Sequence, residues 1–172
     1  FNDQLPPDQT TLIDELKGYT EWDNGVTDEM VMTGKRNFIQ ERGLPLEAHR
    51  IGYENDPKII EKIYEEMQKG QAVEVFLQFY KKEGFLSKKS GAHLVTVTSI
   101  QDYRDSGGNL WIGFSDSATD EEEGESTYDS YRTFGPFINE HWGGEITQIR
   151  YAYAQSPIKD EDGSLISIGE TS

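Results

Sequence analysis

The sequence predicts an α+β fold. Apolar residues recur at helical spacing through the first 70 residues, the period drops to two from Gln71 onward, and turns rich in Gly, Pro, Asn and Asp separate the blocks. Helices followed by a run of strands is the order of helices packed on an antiparallel sheet, not of alternating βαβ units.

Residues 1–7 form an irregular lead-in that ends at Pro6-Pro7. Asp8 caps a first helix reaching about Lys17, with Leu12, Ile13 and Leu16 on its apolar side and Gly18 as its stop. Trp22-Asp23-Asn24-Gly25 is a turn. Thr27 caps a second helix, with Asp28 and Glu29 in its electropositive first turn. Met30, Val31, Gly34, Phe38 and Ile39 share one side of it, and Gly43-Leu44-Pro45 ends it. A short strand from Leu46 to Ile51 follows. Asp56 caps a third helix with Pro57 at its first position; Ile60, Ile63, Tyr64 and Met67 give a single buried stripe before Lys69 and Gly70 close it.

Val73, Val75, Leu77 and Phe79 alternate with more polar neighbours in the first strand of the sheet. His93 to Ile100 and Asn109 to Ser115 are the next two, joined through Asp105-Ser106-Gly107-Gly108. Residues 117–127 form an acidic loop of small residues. Thr127 to Phe134 is a fourth strand, Gly135 to Trp142 a helical turn, and Glu145 to Ala154 a last long strand. The expected organisation is one domain over residues 1–157 and a polar tail over 158–172.

The chain has 172 residues, enough for one core without a metal or disulfide to hold it. Its formal net charge is −16, which repels polyanions at long range, so neither nucleic acid nor an anionic membrane is expected as a partner. There are no cysteines, which excludes disulfides, thiolate zinc sites and a cysteine nucleophile from this chain. No apolar run approaches the roughly 20 residues of a membrane-spanning helix, and no signal peptide is visible. The chain begins at Phe1 rather than Met, so a further segment is expected upstream.

Three histidines are present, and His93 stands apart from His49 and His141. It opens a strand after Ser90-Gly91-Ala92 and faces the same way as Val95 and Val97. Asp116 closes the following strand on the side of Leu110, Ile112 and Phe114. If Ile100 pairs with Asn109, the same register sets His93 directly opposite Asp116, with Cβ atoms about 4.5–5.5 Å apart. A carboxylate there would fix the imidazole tautomer and stabilise its cation. A tighter turn centred on Ser106-Gly107 moves the pairing by about four residues. The alternative to a catalytic pair is a purely structural His–Asp bond, or no contact at all.

Several segments, in order, resemble C39-like, papain-fold bacterial cysteine peptidases. Gly70-Gln71-Ala72-Val73 after an amphipathic helix is similar to that family's helix-to-strand junction. Gly91-Ala92-His93-Leu94-Val95-Thr96-Val97 resembles its histidine strand, and Leu110-Trp111-Ile112-Gly113-Phe114-Ser115-Asp116-Ser117 its strand ending in an acidic residue. Tyr131-Arg132-Thr133-Phe134 followed by Phe137-Ile138-Asn139-Glu140-His141-Trp142-Gly143 is similar to its closing segment. Gly25-Val26-Thr27 through Gly34 and Gly43-Leu44 resembles its second helical region. The resemblance spans about residues 10–154.

The resemblance implies a papain-like fold, with amino-terminal helices on a strongly bent antiparallel sheet. It implies that His93 is the general base and Asp116 its orienting partner in peptide-bond hydrolysis. The family's nucleophilic Cys opens a buried helix upstream, after an oxyanion-hole side chain that is often Gln. Neither is present, since Gln4 and Gln9 precede no Cys. The chain alone is therefore expected to be inactive, its Cys helix lying on an upstream segment or a second chain. A degenerate relative that only binds peptides or proteins is the alternative. Either way the expected partner is a peptide or protein, the setting extracellular or cell-surface, and no cofactor or metal is implied.

Asp120-Glu121-Glu122-Glu123 is either a hard-cation cage for calcium or a solvated loop. Asp160-Glu161-Asp162-Gly163-Ser164 fails as an EF-hand loop, because its Gly falls at the fourth position and Thr171 stands where a bidentate Glu is needed. Trp111, Tyr128, Tyr131, Phe134, Phe137, Trp142, Tyr151 and Tyr153 serve core and sheet surface, and their spacing does not select between a peptide cleft and a sugar platform.

Overall fold

The computed structural model describes residues 27–101, 106–108, 110–116, 127–138 and 146–159. The expected first helix, the acidic run at 120–123, His141 and nearly all of the tail lie outside them. The described chain is α+β: helix α1 (Asp28–Glu41), strand β1 (Leu46–Gly52), helix α2 (Ile59–Gln68), then β2 (Ala72–Glu83), β3 (Leu86–Ile100), β4 (Trp111–Asp116), β5 (Thr127–Phe134), β6 (Phe137–Ile138) and β7 (Ile146–Pro157). Two compact units divide it, Phe1–His49 with Gln155–Ser172, and Arg50–Ala154, so the boundaries fall inside β1 and β7.

In the first unit, the Thr27 hydroxyl accepts from the Met30 amide at 3.2 Å and starts α1, with Asp28 and Glu29 complementing the positive end of the helix. Val31, Met32, Gly34 and Phe38 are its buried positions. Met32 takes the place expected of Met30. Gly43, at φ +59°, provides the left-handed step that ends the helix. The Leu44 amide there reaches back to the Ile39 carbonyl at 3.0 Å.

In the second unit, α2 begins two residues later than its sequence cap suggests. Asp56 accepts from the Lys58 amide at 2.9 Å, and its backbone carbonyl accepts from the Ile59 amide at 3.2 Å. Residues 56–58 thus make a capped turn ahead of the helix. Ile59, Ile60 and Ile63 bury the apolar stripe and join one core cluster with Val73, Val75, Leu77, Phe79, Val95, Val97, Ile112 and Phe114 of the sheet. Gly52 permits this approach: a Cβ there would come 2.5 Å from Ile59 Cγ1.

The strands form a seven-stranded sheet ordered β1-β7-β2-β3-β4-β5-β6, and β7 pairs in addition with β6. Six strands from β7 through β6 therefore close into a ring, which leaves no open edge where β6 and β7 meet. The closure needs a tight reversal after β5. Gly135, at φ +60°, supplies it together with Pro136, and Phe134 pairs with Phe137 across the turn. The helical turn expected from Gly135 is thus replaced at its start by a hairpin. β6 then pairs through Phe137 with Gln148 and Ile138 with Thr147.

β2 and β3 run well beyond their expected limits. They stay paired from Glu74 with Thr96 to Glu83 with Leu86, and the register slips once, between Phe79 and Tyr80. Phe79 faces Gly91 but Tyr80 faces Lys89, so Ser90 is the extra residue of a β-bulge in β3.

Candidate functional site

His93 stands on β3 opposite Leu77 of β2. Leu77, Val95 and Val97 are buried in the core, so strand parity puts the partly buried His93 at the margin of the inner face. The next position on that face, Gly91, carries no side chain. The Phe79 ring lies beside it, and a Cβ on Gly91 would come 3.2 Å from Phe79 Cδ2. The Gly-Ala-His sequence thus has a packing reason: glycine leaves room for the ring next to the histidine.

Asp116 ends β4, where its backbone pairs with Thr127 of β5. The register with β3 differs from the one expected. Ile100 pairs with Ile112, not Asn109, and a second irregularity between Val97 and Ser99 brings Thr96 opposite Ser115. The longer excursion between the strands closes on the Gln101 amide, which donates to the Trp111 carbonyl at 3.0 Å. The ladder ends at Thr96 with Ser115, so Asp116 follows as the last residue of β4, and His93 stands three residues before Thr96 on β3. Continued past Thr96, this register would set Asp116 opposite Val95, two residues from the direct pairing expected with His93.

Sequence reading missed a polar network on the other face of β2. Gln78 lies in an otherwise apolar run, and it is only 6% exposed. Its Nε2 donates to the Gly91 carbonyl and more weakly to the Phe79 carbonyl at 3.4 Å. Its Oε1 accepts from Arg150 Nη1 at 3.3 Å. At a bulge the ladder is interrupted and a carbonyl needs another donor, and Gln78 provides it for the residue two before His93. Arg150 Nη2 also pairs with Glu54 at 2.8 Å. Gln148 Nε2 donates to Asn55 at 3.0 Å, a residue in the left-handed region at φ 64°. Tyr151 has the Arg50 guanidinium 5.7 Å from its ring centre and that of Arg150 at 5.4 Å, with the Phe76 ring edge-on at 6.1 Å.

The electrostatics follow this packing. Burial raises the Tyr80 phenol above its ordinary value, and the Glu54 charge adds to the rise. Burial opposes the Arg150 charge, yet the Glu54 hydrogen bond and charge beside it leave the guanidinium's pKa above its ordinary value. The one signal in the sequence was a lone amide within Val75-Phe76-Leu77-Gln78-Phe79, where a buried polar group requires partners.

In the first unit, His49 Nδ1 lies 3.3 Å from Ser156 Oγ, a side-chain contact that no sequence pattern foretells. Among the described residues no group of three or more His, Cys, Asp or Glu gathers as a metal site, and no helix is long and apolar enough to cross a membrane. Comparison with family models and with curated proteins returns no match for this chain.

Proposed function

We propose that this chain is the histidine-and-acid part of a papain-like, C39-like cysteine peptidase domain, whose Cys nucleophile is supplied by another segment or chain. What supports the reading is the β3–β4 ladder, whose last pair, Thr96 with Ser115, brings the strand ends that carry His93 and Asp116 side by side. His93 would take the proton of the incoming thiol and make it a nucleophile at neutral pH. Asp116 would hold the imidazole in its working tautomer. The thiolate would attack the peptide carbonyl, the amine would leave with the proton from His93, and water would then release the acyl group. The partner is a peptide or protein, and the setting extracellular or at the cell surface.

The absence of any Cys from the 172 residues equally favours a second reading, a non-enzymatic peptide- or protein-binding module on the same fold. The coding sequence upstream of Phe1 separates the two. A Cys opening an apolar helix within about 40 residues, enough chain to cross a domain of this size, supports the peptidase. A signal peptide or start codon directly before Phe1 supports the binder. Pure chain incubated with a peptide mixture should cleave nothing. With the Cys segment restored, cleavage should appear and His93→Ala should lower it by about 10²–10⁴-fold, the usual worth of a general base. Turnover by the pure chain, or turnover indifferent to His93→Ala, would refute the mechanism.

A further inference from the structure

Beyond the bulge, β2 and β3 continue as a two-stranded arm of four pairs, from Tyr80 with Lys89 to Glu83 with Leu86. Every residue from Lys81 to Ala92 is exposed, so neither face of the arm packs on described parts of the chain. Gly84, at φ +64°, occupies the first central position of the two-residue turn, the arrangement of a type II′ hairpin. That turn asks for glycine at Gly84 and makes no demand for an aromatic at the next position. Phe85 nevertheless sits at the apex, 108% exposed, and Leu86 beside it is 75% exposed.

Four of the chain's 16 Lys and Arg residues fall in this arm, against the single acid Glu83, a local charge of +3 in a protein of −16. Lys81 stands directly opposite Lys88, a pairing of like charges that works against the ribbon. Glu83 relieves it only through a 3.6 Å ion pair with Lys88 at the exposed surface. Strand parity puts Lys82 and Lys89 on the opposite face from Lys81 and Lys88. Both faces are therefore basic behind an apolar tip.

We propose that this arm docks on an anionic lipid surface, with Phe85 and Leu86 entering the interface and the four lysines meeting the headgroups. The dimensions agree. At about 3.4 Å per residue the four lysines lie about 7–14 Å from the apex, at and just beyond the depth of about 5–10 Å to which interfacial segments bury their apolar side. Net charge argued against a membrane, but that repulsion is screened over about 8 Å at physiological salt. An arm of this length meets a surface with its own charge. Lysines on an exposed ribbon also discourage edge-to-edge aggregation. That role accounts for the lysines and leaves the exposed Phe85-Leu86 apex without a purpose.

Sedimentation with vesicles at 0.15 M salt tests the proposal and is independent of any peptidase activity. Binding is expected to vesicles of phosphatidylcholine with about one-third phosphatidylglycerol, and at least about tenfold weaker binding to phosphatidylcholine alone. Lys88→Gln with Lys89→Gln should weaken binding about 25-fold, roughly fivefold per lysine. Phe85→Ser should weaken it at least about tenfold. The tryptophan emission of Phe85→Trp should shift to shorter wavelength with the anionic vesicles only. These variants alter exposed positions, and unchanged circular dichroism establishes that they fold. Equal sedimentation of the parent and both variants, or no binding to anionic vesicles, overturns the proposal. Lipid-free self-association that Phe85→Ser abolishes, without vesicle binding, assigns the arm to a second copy and also overturns it.

Discussion

Replacing Gln78 with Met tests the physical reason for the bulge beside His93. Methionine keeps the length and rotamer range of glutamine but removes both its donor and its acceptor. The Gly91 carbonyl then loses the side-chain hydrogen bond it takes from Gln78. A polar group left unpaired in a largely dry position costs about 1–3 kcal/mol, with the lower half applying here because the carbonyl is only part-buried. Arg150 also loses its 3.3 Å bond to Gln78 but keeps Glu54, which adds about 0.5–1 kcal/mol. The loss expected is therefore about 1.5–3 kcal/mol. For a chain of this size that lowers Tm by about 3–12 °C. Urea denaturation should show a lower midpoint at unchanged slope, since the surface exposed on unfolding is the same. Gln78→Glu separates the two contributions. It keeps an acceptor for Arg150, loses the donor to Gly91 and sets a carboxylate against two carbonyls, so it too should destabilise. A Met variant within about 0.5 kcal/mol of the parent, or a Glu variant as stable as the parent, would refute the argument that Gln78 satisfies the bulge.

Two other perturbations probe the surroundings of the site. The Asp56 carboxyl is held below its ordinary value of 3.8, first by its hydrogen bond from Lys62, with burial opposing and the Lys58 amide assisting. A depressed acid stabilises the fold in full above its unfolded pKa and loses that contribution as pH falls through the folded one. Asp56→Asn should therefore flatten the acid limb of the stability curve below pH 3.8, measured by thermal unfolding; a limb as steep as the parent's would refute the linkage. Gly91→Ala should destabilise by about 1 kcal/mol, because the new Cβ would press on Phe79 Cδ2 at 3.2 Å. Calorimetric stability equal to the parent's would show that the ring yields freely.

The α+β class, the cap of α1 and the inner face of β2 were legible because each follows a local rule. Thr27 bonds Met30 three residues away, and Val73, Val75 and Leu77 alternate into the core. The register between β3 and β4 was not legible. It depends on how many residues the chain takes to reverse between Gln101 and Trp111, and on an irregularity after Val97. Neither leaves a mark on apolar periodicity. It sets Thr96 opposite Ser115 instead of the expected Gly113, a shift of two residues. The arm was illegible for a different reason. Lys81, Lys82, Glu83, Lys88 and Lys89 carry no alternation of apolar and polar residues, because a ribbon exposed on both faces has no inside to mark.

That same absence bears on what the arm is for. The paired strands serve the core as far as Phe79 and Gly91, and a reversal there would complete the fold with fewer residues. The chain instead inserts Ser90, breaks the ladder, and recruits the buried Gln78 to repair it. It then extends four more pairs outward with lysine facing lysine. An isolated two-stranded ribbon is at best marginally stable in water, and here it bears charge repulsion and an uncovered phenylalanine as well. Neither the facing lysines nor the uncovered apex lowers the energy of the folded chain. They become favourable together only when the apex leaves water and the lysines meet negative charge, the condition that an anionic lipid surface supplies.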